Sequence, residues 1–476
     1  NNSEIRNFIG FYYETPADFN DFNNKVRIKA SFIQSKLDAQ DLGRFAPDMY
    51  AYQEEYRLNG ELKGTFADFS VDDFRLDFGK SSFFKGKVAF KGLPQLTTTF
   101  WDFDLDPSVI TQEDARQYAG EKYYEAHVKK AGKVDFSGQF KGLYNDFTTT
   151  ADIKSSQLGE IRGKVKVKLN KNPALSTYYG DVVTNELQLG TIIDRPDLIK
   201  NVTFDGLLDG KGLTIPSATL KLDGDIRQVY LNDYNYQNIA LRGKMSQSLL
   251  EGEIEIFDQN LQAQVSGNID FNNDLNRFDI IGTIDKSNLK ALGLTKEDMR
   301  LESDFDLKVS GNTLDDWLGA ATLKNIKLAN DSRNLAVDSL NVYSNDRFGQ
   351  REFVLNSSLF DINFRGNYVP SRVIKDAVKL AEEYRLFFKT DEKERNAYYA
   401  SLPKDTPTQS YTLNYELKLK NSEPFFAYFF PSVRVSKASY FSGSFKQGTS
   451  AEIKLNAKID SCQIGNNRFY QNSIDL

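Results

Sequence analysis

The sequence predicts an all-β protein, an elongated, curved, mainly antiparallel sheet with a few inserted helices, and three observations carry that prediction. Apolar and polar residues alternate with period two over most of the chain, the pattern of a strand with one covered and one wet face. Aromatic residues reach 13%, as 36 Phe and 24 Tyr but only 2 Trp, a bias that suits pleated surfaces. Glycine recurs inside the alternating stretches rather than only between them.

The alternation can be followed strand by strand. Val165, Val167 and Leu169 alternate with lysines, and Leu220 and Leu222 stand on either side of Lys221. Ile254 and Ile256 sit among glutamates; Leu261, Ala263 and Val265 alternate with Gln262 and Gln264; Phe305, Leu307 and Val309 alternate with Asp306 and Lys308. Leu413, Tyr415, Leu417 and Leu419 follow, then Ile453, Leu455, Ala457 and Ile459. Continuous apolar runs, the mark of parallel sheets covered on both faces, are almost absent.

Beneath the alternation lies a degenerate repeat, apolar-x-Gly-x-apolar. It occurs at Phe84 to Val88, Ile161 to Val165, Leu241 to Met245, Val265 to Ile269 and Phe364 to Tyr368. A longer phrase runs from Leu58 to Phe69 and again from Phe136 to Phe147. Glycine weakens a strand and marks a bend, a bulge or a close backbone approach. Spaced as here, these glycines suit a sheet that curves along its length. Their interval drifts, which excludes leucine-rich or propeller arrays of fixed period.

Three stretches break the pattern. Residues 107–132 are polar and helical in composition. Residues 371–402 form the clearest helix, with Ser371 as N-cap and Ile374, Val378, Ala381, Tyr384 and Phe388 at helical spacing as the face that packs on the sheet. The third is the proline-fenced aromatic block from Glu423 to Pro431, read as a plug over apolar sheet surface. The expected organisation is sheet over 1–106, helical insertion over 107–132, sheet over 133–370, amphipathic helix over 371–402, and sheet over 403–476 that continues beyond the last residue. With a strand every ~12 to 15 residues the chain supplies ~32 to 40 strands, a sheet roughly 150 to 190 Å long at the usual strand spacing.

Composition narrows the function classes. A net charge of −6 with both signs interspersed argues against nucleic acid, which needs a clustered basic face. One Cys (Cys462) and one His (His127) exclude an internal disulfide, a Cys-rich zinc site, and Ser-His-Asp or two-His arrangements within the chain. His127 reads as a surface residue of a short helix and Cys462 as a small hydrophobe. The acidic run Asp102 to Asp106 and the pair Asp315-Asp316 read as solvated turns, and Asn272 to Asp274 and Asn330 to Ser332 as hairpin turns. Neither a catalytic constellation nor a metal or cofactor site is expected; the chain reads as non-enzymatic. No run approaches ~18 apolar residues. The chain opens on Asn1-Asn2-Ser3 and closes on a strand-like Asn472 to Leu476, which reads as a piece of a longer protein.

The phrase YYGDVVTNELQL (Tyr178 to Leu189), Asn201 to Gly206, and the passage from Leu213 through Phe271 resemble the TamB (translocation and assembly module) proteins of the AsmA-like superfamily, in their Bacteroidota form. FKGKVAFKGLP (Phe84 to Pro94), FSGQFKGLYNDF (Phe136 to Phe147) and NFRGNY (Asn363 to Tyr368) fit the same family. The resemblance covers most of the chain and rests on degenerate strand patterns. It implies a U-shaped sheet, or β-taco, with an apolar inner surface. The full-length protein would be anchored in the inner membrane by an N-terminal helix outside this chain. It would cross the periplasm of a Gram-negative bacterium, meet a BamA-type (TamA-like) outer-membrane barrel, and carry phospholipid. The lipid-groove residues would then be Val165, Val167, Leu169, Leu220, Leu222, Ile254, Ile256, Leu261, Val265, Phe305, Leu307, Val309, Leu413, Leu417, Leu419, Ile453 and Leu455.

Alternation alone leaves rivals open. A closed sandwich, barrel or β-helix shows the same period, so a structural β-repeat protein with a dry core is one alternative. Another is an assembly factor for outer-membrane proteins whose exposed strand edges bind unfolded strands by β-augmentation. A carbohydrate-active β-solenoid comes last, for want of a site.

Overall fold

The computed structural model describes residues 2–475 apart from 44–46, 198, 215–216, 247, 272–274, 389–391, 402–409 and 449–450. Strands dominate, and the pairing is antiparallel throughout the described residues. The chain divides into two compact units, Asn1–Gln247 and Ser248–Leu476. That division falls within the expected 133–370 sheet segment, at the sequence Ser-Gln-Ser, with no shift in composition to announce it.

Unit 1 is an open meander in which each strand pairs with its sequence neighbours, from the edge strand Asn7–Tyr12 to Tyr234–Ser246. Its pairings place one residue from every strand in a single row: Ile9, Ala30, Leu62, Val71, Val88, Phe103, Phe140, Thr149, Val165, Gly180, Leu208, Leu222 and Gly243. Directly paired residues share a face, so the row defines one side of the sheet, and it carries no charge. The intervening residues form the other side, where ion pairs join neighbouring strands: Lys87 to Asp72 at 2.8 Å, Lys141 to Asp102 at 3.2 Å and Arg227 to Asp205 at 2.8 Å.

Glycines scattered along the sequence come into line across the sheet. Phe74, Gly86, Leu105, Gly138, Ala151, Gly163, Val182, Gly206, Gly224 and Leu241 make a second row on the apolar side. At Gly138 φ is +139°, and a Cβ would stand 2.0 Å from the carbonyl oxygen of Thr150; at Gly86 it would stand 2.2 Å from that of Asp104. Strands meet too closely there for any side chain. β-Bulges between Phe32 and Ser35, Asn59 and Glu61, Val71 and Phe74, Phe83 and Gly86, and Leu105 and Ser108 run beside this line. Bulges and side-chain-free positions together bend a sheet toward its bare face.

The strand Phe100–Ile110 runs through Pro107, which its bulge accommodates, so the helical insertion begins at Gln112 rather than at 107. The acidic run Asp102 to Asp106 is therefore strand and not turn: Asp102 and Asp106 pair with Lys141 and Lys85, and Asp104 accepts from Gln139. The insertion packs Tyr118 against Tyr52 and Phe78 beside the buried cluster of Ala39, Tyr56 and Phe78. One buried carboxylate staples it. Asp114 accepts from the backbone N–H groups of Lys80 (2.8 Å), Ser81 and Ser82 (3.0 Å each) and from the Ser82 hydroxyl at 2.8 Å. Burial alone would raise its pKa, but these donors outweigh burial and bring it down to about 2. His127 is exposed on a short helix, its ring 4.7 Å from that of Tyr123.

Unit 2 is built the same way, from Leu249–Phe257 to Asn467–Asp475. Its longest row is Gly252, Gly267, Ile280, Leu307, Ala321, Val342, Leu355, Ile362, Leu417, Phe441, Ala457 and Ile474. Near its end the short strand Val433–Val435 lies in line with Tyr440–Gln447, both pairing with Ala451–Ile464. The helix Glu423–Phe429 packs Tyr428 and Phe425 over Leu335, Val337 and Leu359, a plug over one end of the sheet's apolar side. The Arg333 guanidinium donates to the Tyr428 carbonyl.

Three further expectations are revised. There are twenty-six strands among the described residues, fewer than 32 to 40, because single strands reach 14 residues. The helix Pro370–Phe388 turns Val373, Ala377 and Leu380 toward the sheet and leaves Ile374 and Val378 more than half exposed, a rotation from the expected face. Its first turn is tied from outside: Asp315 accepts from the Ser371 N–H at 2.8 Å and the Ser371 hydroxyl at 2.6 Å, so Asp315 serves as an anchor and Ser371 is not the cap. Asn330 to Ser332 is a turn, with Asn330 Oδ1 accepting from Ser332 and Arg333 N–H groups. Asn272 to Asp274 lie outside the described residues.

Gly138→Ala is expected to destabilise the protein by about 1–3 kcal/mol, through strain and strand separation, as a lower midpoint in urea denaturation; an unchanged midpoint would mean the close approach is absent. The Asp114 carboxyl titrates below its ordinary value of 3.8. Its contribution is therefore full above about pH 4 and is lost as pH falls toward 2, so Asp114→Asn should cost about 2 kcal/mol at pH 7 and show no deficit near pH 2.

Candidate functional site

Each unit presents an apolar side running from strand to strand. Antiparallel pairing makes it: each strand contributes every second residue, and one residue of slip would turn its whole apolar set to water. In unit 1 a third row, beside the first, reads Phe11, Ile28, Gly64, Phe69, Phe90, Trp101, Gly142, Phe147, Val167, Tyr178, Gly210, Leu220 and Met245. Here aromatic rings lie across the glycines, as Trp101 and Phe147 do at Gly142 and Tyr178 at Gly210, covering backbone that glycine leaves bare. The rings form a belt, with Phe90 to Phe103 centroids at 5.2 Å, Trp101 to Phe140 at 6.1 Å and Phe140 to Phe147 at 4.5 Å.

These faces are not filled from within. Val165, Val167, Leu220 and Leu222 in unit 1, and Leu250, Ile254 and Ile256 in unit 2, are half-buried rather than buried. Other positions on the same rows are buried, among them Ala30, Val71 and Val88 in unit 1 and Ala321 and Ala457 in unit 2, and buried apolar residues gather into clusters where helices and loops cover the sheet, as at Tyr56 and Phe78, at Leu335 and Leu359, and at Tyr411 and Leu413. No pairing among the described residues closes either sheet. A sandwich or barrel of this size would bury such residues on its inner side, so the dry-core alternative does not describe these units. The surroundings are of low polarity all the same: burial pushes the phenols of Tyr178 and Tyr415 above their ordinary value and that of Tyr368 up to about 12.

Every residue proposed from the alternation falls on this side of its strand except Leu169, which lies just past the end of Gly159–Lys168 and is exposed. Val165, Val167, Leu220 and Leu222 are brought together in unit 1. Ile254, Ile256, Leu261, Val265, Phe305, Leu307 and Val309 are brought together in unit 2, with Leu417, Ile453 and Leu455 farther along the same side. Leu413 and Leu419 are fully buried.

Beneath the helix Pro370–Phe388 the side is roofed. Val373, Ala377 and Leu380 face Ile362, Phe364, Leu413, Leu417, Phe441, Phe445, Ile453 and Leu455 around a cavity of about 550 Å³, open at its margin. The sequence reading missed the aromatic belt, of which Phe90 and Phe140 sit in FKG phrases, and missed the inward helix face. The signal for the belt was present, since an aromatic recurs two residues from these glycines; the helix face had none, because Ile374 and Val378 are as apolar as the residues that point inward. Among the described residues no helix is long and apolar enough to cross a membrane.

Compared with family models, with curated proteins and with solved structures, the chain finds no match. The TamB resemblance therefore stands on the sequence phrases alone.

An unfilled face has a measurable signature. Leu222→Gln is expected to cost about 1 kcal/mol or less in a urea melt, as a change on accessible surface does; a loss of about 3 kcal/mol or more, typical of a sealed core, would show the face to be closed.

Proposed function

We propose that this chain is part of a TamB-like lipid conduit of the Gram-negative envelope, shielding phospholipid acyl chains as they pass between inner and outer membranes. The observation that supports the reading is the long apolar side of each unit, lined from strand to strand and in large part only partly buried. Water charges ~0.8 kcal/mol for each exposed methylene, so a two-chain lipid with roughly 30 of them faces a barrier on the order of 25 kcal/mol. An apolar wall removes most of that barrier, while the charged outer side stays hydrated. In this reading the headgroup remains in water at the open margin and the chains lie on the aromatic and aliphatic rows. An inner-membrane anchor and a BamA-type barrel complete the path in the longer protein, and no chemical step on the lipid is required.

A second reading is favoured by one feature. The edge strand Asn7–Tyr12 exposes Phe8, Ile9, Phe11 and Tyr12 on both faces, and among the described residues its outer edge pairs with no strand. Such an edge accepts an unfolded strand by β-augmentation, as an assembly factor would.

Trp101 is a native reporter, because it sits on the apolar side of unit 1 and the chain has only 2 tryptophans. In the Trp317→Phe variant, vesicles of phosphatidylcholine with brominated acyl chains should quench Trp101 fluorescence strongly. Vesicles brominated only in the headgroup should not. No difference between the two would end the conduit reading, and cross-linking of an outer-membrane polypeptide along Asn7–Tyr12 in its place would favour the assembly factor.

A further inference from the structure

The roofed stretch of unit 2 differs in kind from the open sheet on either side of it. Its walls come from four paired strands, and its roof is held at both ends. At the first turn Asp315 binds Ser371, and the Tyr411 hydroxyl donates to Asp376 at 2.8 Å; toward the far end Leu386 is 1% exposed. Between these ties the helix presents Ala377, whose single methyl leaves the space beneath it unfilled. These ties hold the helix over the sheet with the gap between them.

Among the described residues the lining is hydrocarbon apart from Tyr415, which spends its hydroxyl on the Lys454 carbonyl at 2.8 Å. Cavities with apolar walls and no free polar partner stay dry and take up apolar guests, and about 550 Å³ lies within the ~300–1,000 Å³ range of ligand pockets. We propose that this cavity is a holding site for one acyl chain, in which the helix Pro370–Phe388 encloses a lipid tail from above while the headgroup remains at the open margin. The inference rests on the conduit reading and adds to it a defined station. Along the open rows a tail touches protein on one side only; here it lies between sheet and helix, and its residence is longer. Ala377 sets the room available.

The test reads the station apart from the open face. A Phe441→Trp reporter is placed in the cavity wall, with Trp101→Phe and Trp317→Phe removing the native signals, and is titrated with vesicles of acyl-brominated phosphatidylcholine. Strong quenching is expected, at lower lipid concentration than for Trp101. Adding Ala377→Phe, which fills the cavity, should raise the lipid needed for half-quenching by roughly tenfold or more, the effect of losing one to two kcal/mol of apolar contact. In the Trp317→Phe variant, which keeps Trp101, quenching of Trp101 should be untouched by Ala377→Phe. Leu380→Ala, which enlarges the same space, should retain quenching, and circular dichroism of both variants reports whether they fold. Quenching of Trp101 with none at the Phe441→Trp reporter, or quenching there that Ala377→Phe leaves unchanged in a folded protein, would overturn the station and leave the conduit standing. Absence of quenching at both positions would overturn both.

Discussion

Register is the constraint on which everything else depends. A strand has no preference for which side it turns to a neighbour until its backbone hydrogen bonds lock. Once Val165 is opposite Thr149 and Gly180, every other side chain of three strands is assigned to oil or to water. Repeated through each unit, that choice makes one apolar side and one charged side from residues that are strictly intermixed along the chain. The cross-strand ion pairs contribute little stability on an exposed surface. Their larger effect is on alignment, because a slipped strand would put Lys141 away from Asp102 and Phe140 or Gly142 in its place.

This arrangement separates stability from burial. Most globular domains are held by a core that touches residues from all parts of the sequence. Here the ladders between sequence neighbours provide the frame, and compact apolar clusters form where the insertions land: the Tyr118 helix, the aromatic plug carrying Tyr428, and the helix Pro370–Phe388. Asp114 and Asp315 show how such insertions are fixed. Each is a single carboxylate that accepts donors from a distant segment, 32 residues away at Ser82 and 56 at Ser371, and each carries its negative charge because those donors hold its pKa low.

Much of this was legible in the sequence because period-two alternation survives without tertiary context. Val165, Leu222, Ile254 and Leu307 could be assigned to one side by inspection, and their pairings agree. What could not be read was alignment between strands. The glycines of FKGKV and FSGQF are separated by an irregular interval, and only pairing shows that Gly86 and Gly138 fall on either side of Leu105 in one row. The facing of the helix Pro370–Phe388 was misread for a related reason. Ile374 and Val373 are equally apolar neighbours, and the choice between them is made by where Asp315 and Asp376 tie the first turns. Pro107 was read as ending a strand, when a bulge carries the strand past it.

The connectivity of the sheet has a consequence for how such a molecule enlarges. Because each unit is a meander, duplicating one hairpin would insert two rungs without re-routing any loop or disturbing rungs elsewhere. The chain would lengthen as a ladder does, at a cost confined to the two joints. Assembly is local in the same sense: hairpins can zip one after another as the polypeptide emerges, with short loop closures at each step. A protein organised this way can gain or lose pairs of strands while the pairing elsewhere in the unit stays the same.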